Sequence, residues 1–264
     1  MTPIVIAHRG ASSERAEHSI AAYELAIAQG ADALECDVRL TADGHLVCVH
    51  DATLERTSNG LLSVSTSTLE QLQQFDVTAW HSGDEPEPVG EVHPDRQVLQ
   101  FQTLLELATS AGRPVGLSVE TKHPSRGGSR LESEVVKALK RFGLVPAADL
   151  PGDPQSGVRV MSFSPGAMLR MRAEAPTIPT VFLVGSLSHR VARGSLPFGA
   201  LVSGPGIDVI SAWPEVVEQM HAKGKRVHVW TVDTDAQIEL CLRLGVDGLI
   251  TNRPAYVKQQ IEKR

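Results

Sequence analysis

The chain has 264 residues, is 42% hydrophobic and 21% charged, and carries a formal net charge of -6. That length suits one large domain, and α/β barrels often reach it as a single unit; the acidic balance does not favour nucleic acid or an anionic membrane as partner, since both need a basic face. Three cysteines without close spacing exclude a disulfide framework and a four-cysteine zinc site, and no apolar run approaches the length of a membrane span.

The opening stretch, MTPIVIAHRG, has no basic region followed by a long apolar run, so a cytoplasmic location is the expectation. IVIA, residues 4–7, reads as the first strand. A helix over 19–30 follows, with Ser19 as N-cap and Gly30 as the residue beyond its end. DALECDVRL (32–40) and HLVCVH (45–50) are the next strands, separated only by TADG. The stretch 52–98 is rich in Ser, Thr, Asp, Glu and Pro and reads as an inserted loop or small cap with one short helix near 68–75. A helix over 99–112 then leads to a strand over 114–122. A helix over 130–143 leads to a strand over 158–163, and a helix over 165–175 to a strand over 180–185. Residues 200–210 form a weaker strand region. Helices over 214–224 and 235–245 lead to the last two strands, 225–233 and 246–251.

Strand then helix, repeated about eight times, predicts parallel strands with crossover helices. No glycine-rich dinucleotide or phosphate loop follows any strand, which favours a (β/α)8 TIM barrel over a doubly wound sheet. The expectation is one domain over 1–264, with the 52–98 insertion following the strand that ends in His50.

In such a barrel the active site lies at the carboxyl ends of the strands. Those ends carry His8 and Arg9, Glu35 and Asp37, His50 and Asp51, and Glu120 and Lys122. Later strands end in Ser162, in Trp230 with Asp233, and in Asn252 with Arg253. Glu35 and Asp37 stand at i and i+2 of one strand, so both carboxylates share a face. They repel each other unless a cation or a proton lies between them. Glu120 would complete an all-oxygen set, which suits one hard divalent cation, Mg or Ca, better than zinc. A solvent-facing edge is the bland alternative, and the apolar surroundings in ALECDV weigh against it.

The TADG link is too short for a parallel crossover, so the two strands must form a hairpin. If Leu40 pairs with His45, His50 falls opposite Glu35, and a slip of one residue would turn it to the other face. Two histidines at one rim suit an acid and a base. Arg9 and Lys122 suit a phosphate and the negative charge of phosphoryl transfer. Taken singly, each histidine also reads as an ordinary hydrogen-bonded one and Lys122 as a loop lysine. Their joint placement with three carboxylates carries the argument. Trp230 fits contact with a ligand and core filling equally well, and Cys36, Cys48 and Cys241 read as small core residues.

The motifs AHRGAS, EHSIAAYELAIAQGADALECDVRLTADGHLVCVHD, VETK, VHVWTVD and VDGLITNRP resemble the glycerophosphodiester phosphodiesterases over residues 4 to about 254. The resemblance implies a phosphodiesterase barrel with Glu35, Asp37 and Glu120 as metal ligands, His8 and His50 as general acid and base, and Arg9 and Lys122 on the phosphate. It also implies attack by the substrate's own glycerol 2-hydroxyl, a cyclic phosphate, and release of sn-glycerol 3-phosphate and an alcohol. Two departures stand out. Where the family commonly reads Pro-Glu-Asn-Thr, this chain has Ala16-Glu17-His18-Ser19, and Asn252 stands where the family often has Asp, a change expected to be mild.

Lysophospholipase D or sphingomyelinase D type enzymes share the two-histidine plan but would want an apolar surface for an acyl chain. The inserted TAWHSGDEPEPVGEVHPDRQ is polar and offers only Trp80. A non-catalytic phosphodiester-binding barrel would not need two histidines with three carboxylates, and a hydrolase of other bonds would normally carry His-x-His on the first strand. The expected partner is a small glycerophosphodiester, with no nucleic acid and no stable membrane insertion, acting on a monomer or homodimer. The preferred headgroup stays open.

Overall fold

The computed structural model describes residues 2–126, 128–147 and 152–263. Eight parallel strands close into a barrel: β1 (Ile4–His8), β2 (Ala33–Leu40), β4 (Gly116–Thr121), β5 (Val158–Ser162), β6 (Thr180–Val184), β7 (Val202–Pro205), β8 (Arg226–Val229) and β9 (Gly248–Thr251). β1 pairs with both β9 and β2, which closes the ring. The expected TIM barrel is therefore the fold. β3 (Leu46–Cys48) is the exception and runs antiparallel to β2.

Strand alternation sorts the side chains. Leu34, Cys36 and Val38 of β2 point outward and pack with Tyr23, Phe101, Leu104 and Leu131 from the surrounding helices. Ile6, Ala33, Met161, Val181, Val202 and Ile250 fill the barrel interior. Glu35 and Asp37 face that interior just above its apolar plug. All three cysteines are buried and free, as their spacing implied. The first helix, Ile20–Ala28, starts as expected: the Ser19 hydroxyl accepts the Ala22 amide, and Gly30 beyond its end has a φ of +76°.

Three expectations need correction. The hairpin register is off by one, because Leu40 pairs with Leu46 rather than His45. Thr41 and His45 instead close the turn, with the Thr41 amide donating to the His45 carbonyl at 2.9 Å and Gly44 at a φ of +90°. His50 thus does not stand opposite Glu35 on a ladder. The last rung is the Val49 amide on the Asp37 carbonyl at 2.9 Å, after which the chain leaves the sheet. The Arg39 guanidinium then grips the His50 carbonyl at 3.1 and 2.6 Å. Secondly, 200–210 is not one strand: β7 stops at Pro205 and Ile207–Ala212 is helical, Gly206 serving as N-cap. Thirdly, a helix over Pro254–Glu262, with Pro in its first turn, ends the fold and was not read from the sequence.

β2 has two edges, and β4 covers one of them from Ala33 to Val38. β1 takes the other edge at Ala33–Glu35 and β3 takes it at Val38–Leu40. The hairpin therefore rises directly above the end of β1. The inserted segment packs on it around a small core of its own, Val49, Leu54, Val64, Leu72, Val77 and Val98. Its expected helix is the single turn Leu69–Leu72, opened by a Thr68–Gln71 capping box. The segment returns beside its start: the Cys48 amide bonds the Leu99 carbonyl at 2.9 Å, and Val47 bridges Gln100. Among the described residues, no helix is long and apolar enough to cross a membrane.

Candidate active site

β1 presents His8 and then turns sharply. Arg9 has a φ of +57° and Gly10 one of +85°, two left-handed residues in a row. Gly10 is required, since a Cβ there would lie 2.7 Å from the Ala22 backbone carbon. A non-glycine residue held left-handed stores strain, as functional sites often do. Here the turn aims the Arg9 amide at Glu35 Oε2, 3.0 Å away, and its guanidinium at two carboxylates. Nε pairs with Asp37 Oδ2 at 2.9 Å and Nη1 with Glu17 Oε1 at 3.0 Å.

Adjacent strands set the carboxylates side by side, with Asp37 level with Glu120 and Glu35 level with His8. Oxygens of Glu35, Asp37 and Glu120 lie within 4.8 Å of one another, and all three residues are buried. Lys122 Nζ sits 2.9 Å from Glu120 Oε1 and 3.2 Å from Asp37 Oδ1. Burial, and then the charge of Asp37, push Glu35 well above the usual carboxylate range and Glu120 up to about 7. Burial would also raise Asp37, but the His18 hydrogen bond and the charges of Arg9, His18 and Lys122 hold it well below the usual range. Glu35 and Glu120 are thus short of positive charge inside the protein. An all-oxygen set with that deficit fits a hard divalent cation.

His8 Nδ1 lies 2.7 Å from Asn252 Oδ1. Asp233 fixes that amide, accepting Asn252 Nδ2 at 2.6 Å and the Asn252 backbone amide at 2.8 Å. With its NH2 committed to a carboxylate, Asn252 must turn its oxygen to His8, so His8 carries its proton on Nδ1 and its lone pair on Nε2. Burial and the charge of Arg9 push the imidazole down to about 4, against Asp37 and the Asn252 bond. His50 is held differently, with Nδ1 donating to Asp51 Oδ1 at 2.7 Å. Its pKa is also lowered, by burial and by Arg9 and Lys122, while Asp37 and Asp51 pull the other way.

A cavity of about 190 Å³ opens between these groups. His8, Arg9, Glu35, His50, Glu120 and Lys122 line one side, and Met161, Phe163, Leu183, Trp230 and Ile250 the other. Asp37 lies just behind, 1% exposed. All eight residues singled out from the sequence therefore gather at one rim, His50 among them despite the altered register. Trp230 lines the cavity and also packs on the interior core. Its Nε1 donates to the Gly204 carbonyl at 2.7 Å, and Phe163 meets it edge-on at 5.6 Å.

Two positions that stand out in the sequence as departures from the family, 18 and 252, support the site. His18 reaches Asp37 Oδ2 at 3.0 Å through Nε2 and the Tyr23 hydroxyl at 2.7 Å through Nδ1. Tyr23 in turn donates to the Glu35 carbonyl at 3.1 Å. The departure at position 18 is thus a support for the carboxylates. Asn252, expected to be a mild rim change, directly holds His8. Arg56, for which no motif or period in the sequence signals a role, pairs with Glu17 and Asp51. Trp80 of the insertion lies with its ring 6.0 Å from the Arg56 guanidinium carbon, donates Nε1 to the Val77 carbonyl and is 41% exposed.

The model of the glycerophosphoryl diester phosphodiesterase family matches residues 8–256. A Mycobacterium tuberculosis protein named probable glycerophosphodiester phosphodiesterase 1 is 44% identical over 260 residues, covering 98% of this chain and 93% of that protein. A glycerophosphodiester phosphodiesterase of Bacillus subtilis is 30% identical over 253 residues, covering 95% of this chain and 84% of that protein. Among solved structures, a phosphodiesterase of Oleispira antarctica in complex with the product sn-glycerol-3-phosphate is similar in fold, with a TM-score of 0.78 at 22% identity over 99% of this chain and 97% of that one.

Proposed function

The chain belongs to the glycerophosphoryl diester phosphodiesterase family, and from that premise we propose that it hydrolyses small glycerophosphodiesters to sn-glycerol 3-phosphate and a free alcohol. Glu35, Asp37 and Glu120 would hold one divalent cation, Mg or Ca. Bound there, the ion would polarise a phosphoryl oxygen and offset developing negative charge.

Arg9 and Lys122 bind the remaining phosphate oxygens and orient phosphorus. The two imidazoles divide the proton work according to what stands behind each. A neutral amide behind His8 leaves it an unprotonated base, and the carboxylate behind His50 offsets part of the burial that lowers its pKa, so His50 takes up a proton more readily than His8. In the first half-reaction His8 Nε2 takes the proton of the glycerol 2-hydroxyl as its oxygen bonds to phosphorus. The bond from phosphorus to the alcohol breaks, and His50 protonates the departing oxygen. In the second, His50 takes a proton from water as the water oxygen bonds to phosphorus, and His8 returns its proton to the 2-oxygen as the ring opens. Trp230 and Phe163 offer an apolar wall to the carbon face of the substrate.

The observation that carries this reading is the pair of differently partnered imidazoles beside three buried carboxylates on one cavity. The test is release of glycerol 3-phosphate from glycerophosphocholine, glycerophosphoethanolamine and glycerophosphoinositol, with and without chelator, alongside His8→Ala. Metal-dependent release that vanishes in the variant supports it. No release with either ion sinks it for these diesters, and a lysophosphatidylcholine arm then decides for the lysophospholipase D type.

A further inference from the structure

Arg56 belongs to the inserted segment, outside the barrel strands, yet its guanidinium engages two carboxylates at once. Nε donates to Asp51 Oδ2 at 2.6 Å. Nη1 and Nη2 donate to Glu17 Oε2 and Oε1 at 2.9 and 2.7 Å. Glu17 Oε1 also takes Arg9 Nη1 at 3.0 Å, and Asp51 Oδ1 takes His50 Nδ1 at 2.7 Å. Charges thus alternate along an unbroken row from Arg9 through Glu17, Arg56 and Asp51 to His50. Both ends of the row line the cavity, and Arg56 does not.

We propose that Arg56 is a positioning residue that fixes the phosphate-binding arginine, Arg9, and the acid-base histidine, His50, in one unit through Glu17 and Asp51. The proposal rests on the functional reading above. His50 needs such a brace because it lies beyond the last rung of the hairpin, where, among the described residues, its backbone is held through its carbonyl by Arg39. Asp51 is about one-third exposed, and without Arg56 nothing described holds its Oδ2. An isolated exposed ion pair would contribute little. This one spends three donors of a planar fork on two carboxylates, a geometry that an ammonium cannot copy. Glu17 is only 12% exposed. Burial would raise its carboxyl, but the Arg56 hydrogen bonds and the charge of Arg9 hold it down to about 2.

The test compares Arg56→Lys and Arg56→Gln with the wild type, after matched thermal melts show that both fold. Both should lose about 10- to 100-fold in kcat, the range for groups that orient a functional side chain. A structural role would be met by lysine, so retention of full kcat by Arg56→Lys overturns the proposal. Combining Arg56→Gln with Asp51→Asn should cost less than the two single losses together, because they share the Asp51 arm; fully additive losses overturn the coupling through Asp51. The readout that needs no activity is the ¹⁵N spectrum of the histidine rings, with His50 assigned through its loss in His50→Gln. In the wild type His50 should be a single Nδ1–H tautomer, and in both Arg56 variants a mixture, with His8 unchanged. An unchanged His50 tautomer refutes the role of Arg56 whatever the kinetics. If the wild type hydrolyses no diester, the functional reading fails by itself and the tautomer measurement still decides about Arg56.

Discussion

Asn252 and His8, 244 positions apart in the chain, meet at 2.7 Å, and the amide oxygen of one accepts the ring proton of the other. His50, lining the same cavity, has a carboxylate in the same place. The two histidines are therefore unequal before any substrate arrives.

Replacing Asn252 by Asp should make them more alike. A carboxylate stabilises the imidazolium, so the His8 pKa, now about 4, rises. A base must be unprotonated, so activity is lost below that pKa and the acid limb of kcat/KM should move upward by about 1–2 pH units. A pH profile of the purified variant measures this, and an unmoved acid limb counts against His8 as the base. Asn252→Ala, which frees the tautomer instead, should lower kcat by about 10- to 100-fold.

Cation binding should weaken as the pH falls. Glu120 is pushed up to about 7 and must lose its proton to serve as a ligand. Between pH 8 and pH 6 the deprotonated fraction falls by about tenfold, and the Mg affinity should fall with it. Calorimetric titration at the two pH values checks this, and Glu120→Gln should bind weakly at both.

Away from the cavity, Glu132 accepts Arg170 Nε at 2.6 Å and pairs with His123 at the same distance. Burial would raise its carboxyl, but these partners hold it down to about 2. A depressed carboxyl stabilises the fold above its unfolded value and loses that contribution as the pH drops from about 4.5 toward 2. Glu132→Gln should therefore cost on the order of 2 kcal/mol at pH 7, and less as the pH falls through that window. Urea unfolding at pH 7 and at pH 3 separates the two regimes.

Gly10→Ala should be among the more damaging single-methyl changes. Its Cβ would fall 2.7 Å from both the carbonyl carbon and the Cβ of Ala22, at a φ of +85°. A loss of roughly 2 kcal/mol or more is expected from strain and overpacking. Because the same turn aims Arg9, the surviving enzyme should also bind inorganic phosphate more weakly, which calorimetry reads directly.

Periodicity made the barrel legible, since strand and helix alternate with clear breaks, and the rule that chemistry sits at strand ends then collected His8, Glu35, Asp37 and Glu120. The hairpin register was not legible. TADG closes on Thr41 and His45, through a backbone bond between them, a left-handed Gly44 and the Thr41 side chain, which accepts the His45 amide at 2.9 Å. His50 reached the rim anyway, because an irregular backbone after Val49 overrides strand alternation. The supports were harder still. His18, Asp233 and Arg56 act by touching residues far along the chain, and polar side chains in loops carry no period to betray them. Helix Ile207–Ala212 was masked by an apolar run too short to separate from strand.

The insertion leaves the barrel after Asp51 and rejoins it at Leu99, and those two points are stitched together by the hydrogen bond between Cys48 and Leu99. A segment whose ends touch behaves as a cassette: it can be lengthened, shortened or exchanged without moving the strands beneath it. Among the described residues none of 52–98 lines the cavity, so such a change would reach the site through Arg56 and not by touching a ligand. Arg56, five residues past Asp51, is a stitch that each new segment would have to carry over.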